Sequence, residues 1–75
     1  MAEKSMNLRG LKCPLPALRA RKALAGMQSG EVLSIECTDP LTAIDVPAFT
    51  DQTGHTLSVN RREGEVYIFK IVKRR

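Results

Sequence analysis

The segment that most constrains the fold runs from Gly10 to Pro16 and reads Gly-Leu-Lys-Cys-Pro-Leu-Pro. Proline has no backbone N–H, so Pro14 and Pro16 fit the first turn of a helix and not the interior of a strand. Residues 6–9 alternate apolar and polar side chains, which predicts a short strand that ends at Gly10. The segment is therefore predicted to be a strand-to-helix junction, with Cys13 at the N-cap of the helix.

Two helices follow from apolar residues that recur at helical spacing. The first is predicted over residues 14 to about 28. The second is predicted to begin at Asp39 and Pro40, to end at Gly54, and to kink or restart at Pro47. The residues predicted to face the core are Ala17, Ala20, Leu24 and Met27 in the first helix, and Leu41, Ile44 and Ala48 in the second.

Three further strands are predicted from alternation, over residues 31–37, 55–60 and 66–72, with a turn at 62–65 between the last two. The element order is then β-α-β-α-β-β. Helical crossovers combined with a closing hairpin imply a mixed sheet of four strands. The predicted fold class is α+β, a two-layer sandwich with both helices on one face of the sheet.

The chain has 75 residues, which predicts one domain spanning residues 1–75 with a thin core. Neither a signal peptide nor an apolar run long enough for a membrane span is found, so we expect a cytoplasmic protein. Net charge is +4, but residues 31–60 contain no Lys or Arg and five acidic residues. This polarised charge suits docking onto an oppositely charged protein patch or onto RNA, although an unselective solvated surface gives the same pattern.

Cys13 is the candidate reactive residue. A thiol at a helix N-terminus feels partial positive charge, which favours the thiolate, and the cations Lys12, Arg19 and Lys22 are predicted to add to this effect. Cysteine is also a weaker helix cap than Ser, Thr, Asp or Asn, so a purely structural role explains its position less well. A Cys-x-x-Cys redox pair is absent because position 16 is proline, and two Cys with one His cannot supply the usual four zinc ligands.

The other candidate residues have simpler interpretations. Alternation places Cys37 in the core as a small hydrophobe, with a sulfur-relay or resolving thiol as the alternative. His55 is interpreted as structural and Asp39 as a helix cap. Asp45 is interpreted as a solvated helix residue, with contact to a partner protein as the alternative.

Several segments together resemble the TusA/SirA-like sulfur-carrier family, from about Met6 to the end of the chain. They are the Gly10–Pro16 segment with its Cys-Pro-x-Pro box, and further residues that read Lys22, Gly30-Glu31-Val32-Leu33, Thr38-Asp39-Pro40, Asp45-Val46-Pro47-Ala48-Phe49 and Gly54-His55. The resemblance implies a fold like that of the C-terminal domain of translation initiation factor three. Family members often have Asp where this chain has Asn7.

The resemblance also implies a function for the box cysteine, here Cys13. It would accept sulfane sulfur from a cysteine desulfurase or a rhodanese and pass it to an acceptor protein. The processes served would be tRNA thiolation, molybdenum-cofactor enzyme maturation or sulfur oxidation. The protein would be a sulfurtransferase in the carrier sense, acting as a monomer with partner enzymes and without metal, organic cofactor, membrane or direct nucleic-acid contact.

The residues predicted to support Cys13 are Gly10, Lys12, Pro14 and Pro16, and those predicted to contact partners are Arg19, Lys22 and Asp45. Two other function classes stay open at this point. One is a thiol redox regulator that forms a reversible Cys13–Cys37 disulfide, and the other is a small RNA-binding module. The single Tyr, two Phe and absence of Trp weigh against base stacking.

Overall fold

A computed structural model describes residues 3–74. It contains six elements in the predicted order β-α-β-α-β-β. Their bounds are Glu3–Asn7 (β1), Leu15–Ala25 (α1), Val32–Cys37 (β2), Thr42–Thr53 (α2), Thr56–Glu63 (β3) and Val66–Val72 (β4). Within residues 3–74, neither helix is both long enough and apolar enough to cross a membrane.

The four strands form one mixed sheet in the order β1-β2-β4-β3. β1 and β2 pair in parallel, whereas β4 pairs antiparallel with both β2 and β3. Residues of both helices and of the two central strands belong to one buried cluster, so both helices cover the same face. The α+β sandwich predicted from the sequence is thus confirmed. The cluster consists of Leu8, Ala20, Leu24, Leu33, Ile35, Cys37, Val46, Phe49, Phe69 and Ile71.

α1 starts one residue later and ends about three residues earlier than predicted. The N–H of Gly26 donates to the carbonyl of Ala23, which closes the helix in a tight final turn. Ala20 and Leu24 are buried as predicted, while Ala17 and Met27 are partly exposed at the edges of the stripe. Pro16 lies in the first turn and is buried, where its missing N–H costs no helical hydrogen bond.

The prediction for the buried face of α2 was wrong. Leu41 is 52% exposed, Ile44 is 69% exposed, and Ala48 is exposed as well. The face that enters the core carries Thr42, Val46, Phe49 and Thr50. Two of these are polar, but their hydroxyls donate to carbonyls one turn back, Thr42 to Asp39 and Thr50 to Pro47. Satisfied hydroxyls can be buried at little cost, so hydrophobicity did not identify the inner face.

Two smaller predictions are revised by the structure. Of the two outcomes predicted for Pro47, a kink or a restart, the restart is wrong, because α2 continues without interruption from Thr42 to Thr53. The third strand extends to Glu63 and not only to residue 60, because the hairpin turn is tighter than predicted. The turn is at Gly64, whose positive φ of 61° suits a residue without a side chain.

Candidate functional site

Two loops meet at one edge of the sheet and form the candidate site. Because β1 and β2 are parallel neighbours, the loops that follow them lie at the same end of the sheet. The N–H of Leu8 donates to the carbonyl of Glu36 at 2.9 Å, and the N–H of Gly10 donates to Thr38 Oγ1 at 2.9 Å. Gly10 has φ +83°, a left-handed backbone conformation that favours a residue without a side chain. These bonds hold the first loop against the second.

Asp39 joins the two loops at the cysteine itself. Its Oδ2 accepts the backbone N–H of Cys13 at 2.7 Å, and its Oδ1 accepts the N–H of Leu41 at 2.9 Å. These two hydrogen bonds, in that order, lower the pKa of the Asp39 carboxyl. Asp39 was predicted as the cap of the second helix. It does bond to the turn that leads into α2, but it also holds the loop that carries Cys13.

The thiol of Cys13 is partly exposed and donates a hydrogen bond to Asp45 Oδ2. This bond is the main reason that the pKa of Cys13 is raised above its usual value of 9.0. Burial and the charges of Asp45 and Asp39 act in the same direction. A thiolate would lose the hydrogen bond and be repelled by both carboxylates, so the protonated thiol is favoured.

The expectation that the fold favours the Cys13 thiolate was therefore wrong. The N-cap of α1 is Pro14, so Cys13 lies one position before the place where the helix dipole acts most strongly. The Cys13–Pro14 peptide bond is cis. Asp45, 32 residues further along the chain, lies in the first turn of α2 and is only partly exposed, and its side chain contacts the thiol. The residues of the Gly10–Pro16 segment alone could not predict the contact with Asp45.

The predicted cations are arranged differently from expectation. Lys12 is exposed beside Cys13, and its charge helps to lower the pKa of Asp39. Arg19 and Lys22 are exposed on α1, but neither lines the groove next to the thiol. Arg21 does line that groove. Its spacing of one helical turn from Ala17, on the same side of α1, is the sequence signal that could have identified it.

The groove lies between the two helices and has a volume of about 320 Å³. It is lined by Cys13, Pro14, Ala17, Leu18, Arg21, Asp45, Ala48, Phe49 and Gln52. Within residues 3–74, the exposed large hydrophobic side chains all lie on α1 or at the start of α2, the elements that flank Cys13. They are Leu15, Leu18, Leu41 and Ile44. Leu18 is the member of this set that lines the groove itself, beside the polar side chains of Arg21, Asp45 and Gln52.

The surroundings of Cys37 and His55 fit the structural roles predicted for them, and Asn7 makes a local turn bond. Cys37 is fully buried, and burial raises its pKa to about 11, although a hydrogen bond with Thr42 acts in the opposite direction. The Nδ1 of His55 accepts the backbone N–H of Arg74 at 3.1 Å, which fits a structural role. Asn7 Oδ1 accepts the N–H of Arg9 at 3.0 Å, a turn bond that needs no negative charge.

The chain is similar in sequence to known sulfur carrier proteins. The family model for sulfurtransferase TusA matches residues 4–73. The sulfur carrier protein TusA of Allochromatium vinosum is 44% identical over 71 residues, which cover 95% of this chain and 93% of that protein. A protein of Neisseria meningitidis serogroup A is 53% identical over 57 residues, covering 76% of this chain and 77% of its own.

The fold is also found in a solved structure. The crystal structure of a SirA-like protein from Desulfitobacterium hafniense has a TM-score of 0.83 and covers 99% of this chain and 100% of its own. Sequence identity to it is 21%, so this likeness supports the architecture alone. The family match and the identity to the Allochromatium protein together show that this chain belongs to the TusA family of sulfur carrier proteins.

Proposed function

We propose that this protein is a sulfur carrier whose Cys13 accepts sulfane sulfur from a donor protein and passes it to an acceptor protein. The single observation that carries the proposal is the contrast between the two thiols. Cys13 is accessible in a groove bordered by exposed apolar side chains, whereas Cys37 is fully buried. A partner's cysteine can therefore reach only Cys13 without unfolding the core.

The proposed step is thiol exchange and needs neither an oxidant nor a reductant. The donor carries a persulfide anion, and Cys13 Sγ attacks its terminal sulfur. The S–S bond in the donor breaks as a new S–S bond forms on Cys13, and the donor cysteine takes the proton that Cys13 gives up. The acceptor's cysteine then repeats the exchange with the Cys13 persulfide.

In this proposal, the residues around Cys13 have the roles predicted from the sequence, which are to shape its loop and to contact partner proteins. Gly10, Pro14 and Pro16 shape the loop, and Lys12 lies next to the thiol, while Arg19 and Lys22 offer exposed cations on α1 for partner contact. One domain over residues 1–75 acts as a monomer in the cytoplasm. The proposed donors are a cysteine desulfurase or a rhodanese, and the acceptor proteins serve tRNA thiolation, molybdenum-cofactor enzyme maturation or sulfur oxidation.

Intact-mass spectrometry tests the proposal. Incubation with a cysteine desulfurase and cysteine should add about 32 Da, one sulfur atom, and a reducing thiol should remove it. The same increment should appear in Cys37→Ala and be absent from Cys13→Ser. A loss of about 2 Da that requires both cysteines would instead indicate a disulfide switch. A wild-type protein left unmodified by both a desulfurase and a rhodanese would contradict the proposal.

A further inference from the structure

Asp45 places a carboxylate directly on the atom that the proposed function requires to be a nucleophile. The residue lies in the first turn of α2, and its Oδ2 accepts the hydrogen bond from Cys13 Sγ. α2 is held in place by the buried Val46 next to Asp45 and by Phe49 one turn further on. The packing of α2 against the sheet therefore fixes the position from which Asp45 reaches the thiol.

The charges that shift the pKa of the thiol are both negative and favour its protonated form. Asp45 and Asp39 both raise the pKa of Cys13. The two nearby cations do not offset them: Lys12 acts on Asp39, and Arg21 lines the groove but is not among the groups that shift the pKa of Cys13. Since the thiolate and not the thiol is the nucleophile, the free protein holds Cys13 in its less reactive state.

We propose that Asp45 keeps Cys13 protonated in the free protein, and that a cationic side chain beside the donor's cysteine pairs with Asp45 and releases the thiolate for attack. This inference rests on the proposed function and adds to it the chemistry of the donor surface. Pairing removes the repulsion that a Cys13 thiolate would feel. The proton then moves to the donor cysteine, which leaves as a thiol when the S–S bond is exchanged.

The same arrangement protects the free thiol more than the loaded one. In a persulfide, Sγ no longer carries the proton that it donates to Asp45, and the transferable sulfur lies one S–S bond, about 2 Å, beyond Sγ. The hydrogen bond to Asp45 therefore lowers the reactivity of Cys13 before it is loaded and leaves the carried sulfur accessible to the acceptor. It also protects the empty carrier from small electrophiles and oxidants, which react with thiolates.

The first test is the pH profile of alkylation by iodoacetamide, with the label mapped by mass spectrometry. Asp45→Asn keeps the shape of the side chain but removes its charge. Its Cys13 profile should shift to lower pH, with faster alkylation near neutral pH, because a lower pKa increases the thiolate fraction at any given pH. Asp51→Asn is the matched control, because Asp51 is exposed further along α2 and should leave the profile unchanged.

If the pH profile of Cys13 alkylation in Asp45→Asn were unchanged or shifted to higher pH, Asp45 would not be what keeps Cys13 protonated, and the proposal would be wrong. Thermal unfolding of both variants checks that each is folded, and the alkylation test does not depend on any sulfur donor. A wild type that accepts no sulfur would therefore contradict the proposed function, while the alkylation profile would still decide whether Asp45 controls the thiol.

The second test separates the effect of Asp45 on the protonation of Cys13 from its pairing with a cation of the donor. A cysteine desulfurase with cysteine is the sulfur source. Asp45→Asn should show a KM for the carrier raised about fivefold, the upper end for loss of one exposed ion pair. High salt should remove this difference by screening the pair. Faster alkylation combined with weaker donor recognition supports the proposal. Sulfur transfer that accelerates in parallel with alkylation, at an unchanged KM, would show that no donor cation pairs with Asp45.

Discussion

Cys13 and Cys37 both have a pKa above the usual value of a thiol, but for different physical reasons. Cys13 lies in a partly exposed loop, and the main cause of its raised pKa is the hydrogen bond to the carboxylate of Asp45. In Cys37 the main cause is burial in the core, which disfavours any charged form. A shifted pKa alone therefore does not separate a functional thiol from a structural one.

The difference lies in what it takes to reverse each shift. A partner protein can neutralise a carboxylate at the surface without disturbing the fold. The pKa of Cys37 can return to its usual value only if the thiol is exposed to water. Leu33 and Ile35 are buried on the same face of β2, so exposing Cys37 requires β2 to leave the core. The first thiol is thus controllable by binding, and the second only by unfolding.

The largest expected difference between the two thiols is in their rates of alkylation. In the native protein, Cys37 should react on the order of a thousandfold more slowly than Cys13, because a buried group reacts only in open states that cost several kcal/mol. Peptide mapping after timed labelling at pH 8 measures both rates. In denaturant the two rates should converge, and similar native rates would show that the core around Cys37 opens readily.

The next largest effect concerns stability at alkaline pH. The pKa of Cys37 is about 11 in the folded protein and near 9.0 in the unfolded chain. Between these values the native state keeps a proton that the unfolded chain releases, so the free energy of unfolding falls as pH rises. The loss should be on the order of 2 kcal/mol from pH 9 to 11.

Urea unfolding of the wild type and of Cys37→Ala over this pH range measures that loss. The variant removes the titrating group, so its stability should decline less steeply, whatever its stability at pH 7. Parallel slopes for the two proteins would show that other groups dominate the alkaline transition.

The smallest expected effect concerns the exposed apolar side chains of α2. Ile44 is exposed, so Ile44→Ser should change the free energy of unfolding by no more than about 0.5 kcal/mol. Val46, two residues further along, is fully buried, and Val46→Ala should cost about 2 kcal/mol. Chemical denaturation compares the two, and a large loss in Ile44→Ser would show that this face packs against the protein's own core.

Much of the fold could be predicted because most of its signals are local. Alternation located β2 and its buried face, including Cys37, and the two prolines of the Gly10–Pro16 segment located the start of α1. These signals depend on a residue and its near neighbours only. The order of the elements then left few arrangements for a mixed sheet.

The inner face of α2 and the partner of Cys13 could not be predicted in this way. A helix with Ile44 on one side and Val46 on the other has two apolar faces, and the buried Thr42 made the correct one look more polar. The bond from Cys13 to Asp45 joins residues 32 positions apart and depends on the packing of α2. Charge near a thiol is set by the fold, so the sequence around Cys13 predicted the wrong direction for its pKa.

The long separation between Cys13 and the carboxylates has a consequence for synthesis of the chain. The ribosome adds Cys13 26 residues before Asp39 and 32 residues before Asp45. At about 5–20 residues per second, both carboxylates are added some seconds after the cysteine. The β2 strand that precedes Asp39 also pairs with β4, which follows both carboxylates in the chain, so the full site forms only after β4 has been made. The hydrogen bond from Cys13 to Asp45 is therefore a product of the folded sheet and helices, and the segment around Cys13 cannot form it during its own synthesis.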